Sequence, residues 1–424
     1  MPETRRPTRR EAAIGIAGVA LAAALPRPSI AQAAPRVAVI GGGFAGASCA
    51  RALKRLDSRI EVTLVAASRT FVSCPFSNEV IAGLRDFEAQ RFGYDRIATD
   101  GIAVAASAAT RIEPRSRTIG LADGTSLSYD RLVLAPGIDM RFDALPGYDE
   151  AASDRMPHAW QAGEQTLLLK RQLEAMKDGG VVAIAVPAAP LRCPPAPYER
   201  ASLIAHYLKT HKPRSKVLVL DAKDGFSQQK LFEAAWKELY PGMIERIALS
   251  QGGRVTSVDP STGAIVTEFG NYTADVANII PPQRAGRIAG IAGVADHTGW
   301  CPIDPVSFVS TLVPDIHVVG DACIASGIPK SAGAAAAQGK VCAAAVANLL
   351  AGKAPEPSRL TGACYNTVAP GYAFSLSGIY QAKGDHFAEI EVKTSPVEAP
   401  REMRAQEAEN ALDWFRSITG DAFG

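Results

Sequence analysis

Seven cysteines are spread through this 424-residue chain, at positions 49, 74, 193, 301, 323, 342 and 364. Thiols act as nucleophiles, disulfide partners or metal ligands, and their spacing separates these uses. No metal-finger spacing occurs, so no metal site is expected, and no Cys-x-x-Cys-His is present to attach a haem. The odd number leaves at least one cysteine outside any set of intrachain disulfides. Cys49, Cys301, Cys323 and Cys342 lie in apolar or helical stretches and read as small core residues, with Cys301 the foremost exception. Cys74 opens a loop after a β-rich segment. Cys193 stands in the proline-rich loop Pro187-Ala188-Ala189-Pro190-Leu191-Arg192-Cys193-Pro194-Pro195.

The elements that must position these thiols begin with the apolar run Arg36–Ile40, which leads into Gly41-Gly42-Gly43-Phe44-Ala45-Gly46 and a helical stretch from Ala47 to Leu56. A second β-rich run, Glu61–Val65, follows. This is strand, glycine turn, helix, strand: a dinucleotide-binding βαβ unit. Gly41 permits the tight turn, Gly43 lets backbone N–H groups approach a pyrophosphate, and Gly46 lets helix and strand pack closely. The helix N-terminus supplies partial positive charge for the phosphates. The acidic residue that usually binds the adenosine ribose is missing, because Ala66 occupies its place; backbone groups or Ser68 are the alternatives. A further strand, Leu132–Gly137, ends in a small-residue turn that makes Gly137 a cofactor-binding candidate.

The apolar run Val181–Val186 starts a second candidate βαβ unit, and the Cys193 loop stands where its glycine loop belongs. That loop contains no glycine. Proline lacks the N–H donor and a Cβ obstructs close backbone approach, so a nicotinamide dinucleotide is a poor fit. Further on, Ile316–Asp321 is a strand finishing in Gly320-Asp321, placed where flavoproteins of this architecture reach the ribityl chain. After Lys330-Ser331-Ala332-Gly333, an Ala-rich helix can aim its N-terminus at the flavin pyrimidine. Asp321 and Lys330 are therefore cofactor-binding candidates, and the cofactor is FAD. The expected fold is α/β: two Rossmann-like three-layer domains and a smaller α+β C-terminal domain. The boundaries read 34–145 with 284–352 for FAD, 146–283 for the NAD-like domain with its rebuilt loop, and 353–424 for the last domain. In that last part, strands are expected over Ala363–Ser377 and Ala388–Val392, and a helix over Glu402–Ser417.

Several motifs together resemble the flavoprotein subunit of flavocytochrome c sulfide dehydrogenase. They are Cys74-Pro75-Phe76-Ser77-Asn78-Glu79-Val80-Ile81-Ala82-Gly83, the Cys193 loop, Trp300-Cys301-Pro302-Ile303-Asp304-Pro305, Gly320-Asp321-Ala322-Cys323 and Ala363–Tyr372. The resemblance implies that Cys74 bonds covalently to the flavin through a thioether. Disulfide reductases carry a second cysteine five residues on, but Glu79 stands there, so no local redox disulfide forms at Cys74. It implies that Cys193 and Cys364 are the redox-active pair: hydrosulfide attacks their disulfide, leaves a persulfide and a thiolate, and two electrons pass to the flavin. A structural disulfide is the plainer alternative for these two. Glu199 matches a carboxylate near the pair, where an apolar pocket raises its pKa and lets it move protons. Trp414 is either a packing residue or the aromatic that covers the flavin.

The function expected is sulfide or polysulfide oxidation, with electrons passed singly from FAD to a c-type cytochrome subunit that carries the haem. A quinone-linked sulfide oxidase and a non-catalytic subunit of a thiosulfate-oxidising assembly are the alternatives. The charged segment Glu402–Glu407 is a weak membrane anchor. The formal charge of +2, with 47% apolar and 21% charged residues, argues against nucleic acid or an anionic membrane surface as partner. Residues 1–33 read as a leader: Thr8-Arg9-Arg10-Glu11 precedes the apolar run from Ile14 to Leu25, and Ala31-Gln32-Ala33 is a small-x-small cleavage pattern. The paired arginines point to twin-arginine export and a periplasmic location, with an ordinary secretory leader as the alternative.

Overall fold

The computed structural model describes residues 33–424. All but the last residue of the expected leader lies outside the described residues. Strand β1 (Arg36–Ile40) runs parallel to β2 (Glu61–Val65), which pairs with β3 (Ala103–Ala105), while β4 (Arg131–Leu134) lies on the other side of β1. Only Arg36 of β1 is exposed; the other four residues are buried on both faces, which is why the run is continuously apolar rather than alternating. Helix α1 (Phe44–Leu56) starts three residues earlier than its apolar pattern suggests, because Gly43 itself serves as the N-cap. Close approach explains the glycines. A Cβ on Gly41 would lie 2.1 Å from the Ala135 carbonyl oxygen, and one on Gly46 would lie 1.9 Å from the Gly41 carbonyl oxygen.

A short helix, α2 (Ser77–Ile81), follows the Cys74 loop. The chain then builds a second parallel sheet from β5 (Val181–Val186), β6 (Lys216–Asp221), β7 (Ile244–Ile247) and β8 (Val276–Ile279), in the order β7-β6-β5-β8. Helix α3 (Ala196–His211) crosses from β5 to β6. Strand β9 (Ile316–Val318) returns to the first sheet beside β4, giving the order β9-β4-β1-β2-β3. It stops before Gly320-Asp321, which form a single 3-10 turn instead of its last residues.

Helix α4 (Ala332–Leu350) packs across α1 at backbone distance. A Cβ on Gly339 would sit 2.2 Å from the Ala45 carbonyl oxygen. The C-terminal part is an antiparallel sheet, β10 (Arg359–Ala369), β11 (Tyr372–Lys383) and β12 (His386–Thr394), covered by helix α5 (Arg401–Ala422). The expected single run Ala363–Ser377 is thus a hairpin. Gly371, at φ +66°, lets the chain reverse between β10 and β11.

Gly46→Ala is expected to push α1 off the Gly41 carbonyl and lower the urea unfolding midpoint, by an amount corresponding to about 1–3 kcal/mol of overpacking. An unchanged midpoint refutes the close-approach account of this glycine.

Candidate active site

One cleft gathers residues from every part of the fold. Its wall includes Gly43, Cys74, Gly137, Cys193, Glu199, Asp321 and Cys364, which lie far apart in the chain. Gly41 and Gly46 stand behind this wall; the Gly41 N–H donates to the Val65 carbonyl at 2.8 Å and holds the turn.

Lys330 differs from its expected role. It is absent from the cleft wall, and its ammonium donates to the carbonyls of Asp321 (2.7 Å) and Cys323 (2.8 Å) while stacking 4.1 Å over the Trp300 ring. Its own carbonyl accepts from the Cys193 N–H at 2.7 Å. Lys330 braces the site from behind. A lysine near a flavin motif reads the same in sequence whichever way its side chain turns.

The residues present fit FAD. The Oδ1 atom of Asp321 is buried without a hydrogen-bond partner, on the wall of the cleft, where a ribityl hydroxyl would satisfy it. A Cβ on Gly43 would meet only the Phe71 ring edge at 3.3 Å, so the space beside this backbone is open for a pyrophosphate. The N-terminal residues of α1 and α4 line the same cleft and turn their helix dipoles toward it. At the ribose position, Ala66 is buried and its N–H is already given to the Ala105 carbonyl at 2.9 Å. Ser68, with its Oγ accepting weakly from Thr70 N, remains exposed.

The second sheet has given up its own dinucleotide position. Asp221, at the end of β6, is fully buried and accepts from Tyr198 Oη (2.6 Å), Lys223 Nζ (2.6 Å) and Arg246 Nε (2.9 Å). The Tyr198 and Phe226 rings stack at 3.5 Å beside it. Asp221, where a ribose-binding acid would stand, is thus committed to side-chain partners of its own.

Cys74, Cys193 and Cys364 face the cleft, while Cys49, Cys301, Cys323 and Cys342 are buried in the core. Cys193 N-terminally flanks α3 with a left-handed backbone (φ +52°), and Phe76 beside Cys74 is left-handed too (φ +65°). Each costs on the order of 1–3 kcal/mol, and such strain concentrates where side chains are held for function. Cys193 and Cys364, the pair that the resemblance implies to be redox-active, both line this cleft. Burial pushes the Cys193 thiol well up, helped by Cys364 and Glu199 and opposed by the Arg192 guanidinium. Burial raises Cys364 as well, against the Ser331 hydroxyl. Arg192 lies beside Cys74, Cys193 and Asp321, whose negative charge would offset the cost of burying its own.

Glu199, in the first turn of α3, accepts from the Asn78 amide (2.7 Å) and the Thr367 N–H (2.9 Å). A helix N-terminus and two donors favour its charged form, yet burial outweighs them and raises its pKa to about 7. Arg200 is buried, and burial lowers it to about 9. It donates to Asn78 Oδ1 (2.9 Å), so Asn78 turns its amide nitrogen toward Glu199. Asn78, Arg192, Arg200 and Thr367 are site residues that motif reading passes over. Asn78, Arg192 and Thr367 stand in the motifs around Cys74, Cys193 and Cys364, and Arg200 adjoins Glu199, but only packing shows which way they point. Trp414, for which packing was one of two readings, lines the cleft, 5.8 Å from the Tyr365 ring.

Two parallel dinucleotide sheets, with a cleft of thiols and an orphaned ribityl-facing aspartate, define a two-domain flavoprotein of the disulfide-reductase class. Solved structures agree on the fold: sulfide:quinone oxidoreductase from Aquifex aeolicus aligns with a TM-score of 0.75 at 18% identity over 92% of each chain. The family model for pyridine nucleotide-disulphide oxidoreductases matches residues 35–178. The model for the central part of the sulfide dehydrogenase [flavocytochrome c] flavoprotein chain matches 166–281, and that for the flavocytochrome c sulphide dehydrogenase flavin-binding part matches 356–423. The chain is 60% identical over 45 residues to the sulfide dehydrogenase [flavocytochrome c] flavoprotein chain of Chlorobaculum thiosulfatiphilum, covering 94% of that sequence and 11% of this one. It is 23% identical over 312 residues to mouse mitochondrial sulfide:quinone oxidoreductase, covering 71% of this chain and 68% of that one. The chain belongs to the family of flavocytochrome c sulfide dehydrogenase flavoprotein chains.

The raised Glu199 pKa carries a stability consequence with a definite sign. Between its unfolded value near 4.5 and about 7, the folded protein holds a proton the unfolded chain has lost. Wild-type stability relative to Glu199→Gln therefore falls as pH rises through that window and levels off above it. Urea midpoints of both proteins across the window measure the difference, and a pH-independent difference contradicts the assignment.

Proposed function

We propose that this chain oxidises an inorganic sulfur compound, sulfide foremost, at Cys193 and Cys364, and passes the electrons through FAD to a c-type cytochrome partner. The observation that carries this reading is the meeting of two thiols from different domains on the wall that also presents Asp321 and Gly43. Hydrosulfide attack on a Cys193–Cys364 disulfide forms one S–S bond and breaks another, leaving a persulfide on one sulfur and a thiolate on the other. Overall, HS⁻ yields zero-valent sulfur, one proton and two electrons. Glu199, held by Asn78 and Thr367 close to both sulfurs, is placed to take the proton. Arg192 steadies negative charge on Cys193. When bound, FAD accepts the electron pair and releases electrons singly, the reason to couple it to a haem.

Cys74 is the candidate for a thioether to FAD, since it lines the same cleft and its loop is pinned by the left-handed Phe76. Among the described residues no helix is long and apolar enough to cross a membrane. The expected leader is what favours a periplasmic place.

Anaerobic sulfide is expected to bleach the bound flavin, and cytochrome c to restore the colour faster than a quinone analogue does. Cys193→Ser and Cys364→Ser should each slow bleaching by about 10⁴-fold or more, with the double variant no worse, as for residues acting as one unit. If sulfide leaves the yellow colour untouched, the catalytic reading fails. Separately, the intact mass of acid-denatured protein should retain FAD, and Cys74→Ser should lose it; loss from the wild type removes the covalent assignment.

A further inference from the structure

The three cysteines of the cleft come from three separate elements. Cys74 precedes α2, Cys193 precedes α3, and Cys364 belongs to β10. A disulfide between two of them tolerates little play, because the Cβ atoms must stand about 3.5–4.5 Å apart. Helix α3 packs on both α2 and β10. A buried polar node centred on Arg200 ties these elements together. Arg200 is 2% exposed, and its guanidinium donates to four acceptors at once. Nε donates to Asn78 Oδ1 (2.9 Å), Nη1 to Asn278 Oδ1 (2.8 Å) and the His158 carbonyl (3.0 Å), and Nη2 to the Ala159 carbonyl (2.6 Å). Asn278, on β8, in turn donates to the carbonyls of Pro157 (2.7 Å) and His158 (2.8 Å). The segment 157–160 is thereby held beside the cleft, with Ala159 in a left-handed conformation (φ +46°).

Asn78 passes this order on. With its oxygen fixed by Arg200, its amide nitrogen turns to α3 and donates to Glu199 Oε2 (2.7 Å) and the Ala196 carbonyl (3.3 Å). Glu199 then reaches β10, where its other oxygen accepts the Thr367 N–H (2.9 Å). A continuous chain of hydrogen bonds therefore runs from the Cys74 side of the cleft, through the Cys193 helix, to the Cys364 strand. Its anchor points stand close to the thiols in sequence. Asn78 is four residues after Cys74, Glu199 six after Cys193, and Thr367 three after Cys364.

We propose that Arg200 and Asn78 are positioning residues for the cysteine pair: by fixing the Glu199 carboxyl against the Thr367 N–H, they hold the Cys193 helix and the Cys364 strand at disulfide-bonding separation. This rests on the sulfide-oxidising reading above and names residues that act on its disulfide through the elements that carry the two sulfurs. The geometry of the guanidinium matters here more than its charge. A lysine at position 200 keeps the charge, but its ammonium is a point donor and cannot reproduce a planar fork spread over four acceptors. An alanine at position 78 leaves Arg200 in place and removes the link from it to Glu199.

The test equilibrates the holoenzyme anaerobically with glutathione buffers and measures the Cys193–Cys364 disulfide by alkylation and peptide mass. Two glutathione thiols reduce the protein disulfide to two thiols and leave as one oxidised glutathione, so the exchange balances. Asn78→Ala and Arg200→Lys should each make the disulfide about tenfold easier to reduce, a change of about 30 mV for a two-electron couple. A role in folding stability alone lowers the urea midpoint of these variants and leaves the glutathione equilibrium of the folded protein where it was. The flavin spectrum reports folding, and Asn78→Ala carries the test if Arg200→Lys does not fold. An equilibrium within about twofold of wild type in either folded variant overturns the positioning role alone. If the wild type forms no Cys193–Cys364 disulfide in any buffer, the functional reading falls, and the positioning role with it.

Discussion

The bond from the Cys193 N–H to the Lys330 carbonyl is the tie on which the cleft depends. It joins the rebuilt loop of the second sheet to the segment that follows Gly320-Asp321 in the first. The same lysine's ammonium holds the carbonyls of Asp321 and Cys323 and stacks on Trp300. One residue thus fixes the thiol loop and the aspartate turn relative to each other. Desolvating the ammonium of this half-buried lysine is costly and lowers its pKa, and two carbonyl acceptors with an aromatic face offset that cost. The left-handed Cys193 conformation is sustained by this anchoring.

Desolvation organises the chemistry inside that frame. It raises Glu199 and Glu79 into the neutral range and pushes both cysteine thiols up, so charge in the cleft is scarce and each charge that forms matters. Arg192 and Arg200 are the compensating cations. Arg200 distributes its donors over Asn78, Asn278 and the carbonyls of His158 and Ala159, which leaves it a rigid orienting group for Asn78. A carboxyl with its proton affinity set near neutrality by burial is suited to take up and release protons at neutral pH.

The same second domain records how the fold was put to a different use. Its parallel sheet keeps the order of a nicotinamide domain, yet Asp221 is consumed by Tyr198, Lys223 and Arg246, and the glycine loop has become a proline loop bearing Cys193. Loss of the dinucleotide loop was plain in the sequence, since prolines and Cβ atoms are local properties. Occupation of the acid was not, because Tyr198 and Arg246 reach Asp221 from other elements and only Lys223 is local to it.

The sequence by itself determined the parallel sheets, the glycine turn, the FAD assignment and the family, because these rest on local periodicity, backbone sterics and contiguous motifs. It also named the cysteines and Glu199 as chemistry. Only the tertiary structure decided that Lys330 braces rather than lines the cleft, and that the 363–377 run folds into a hairpin at Gly371. It alone showed that Asn78, Arg200 and Thr367 converge with Glu199 on the cleft that Cys193 and Cys364 line. Which face a side chain takes, and how much water it loses, is fixed by elements distant in the chain. Direction and desolvation are therefore properties of the assembled fold.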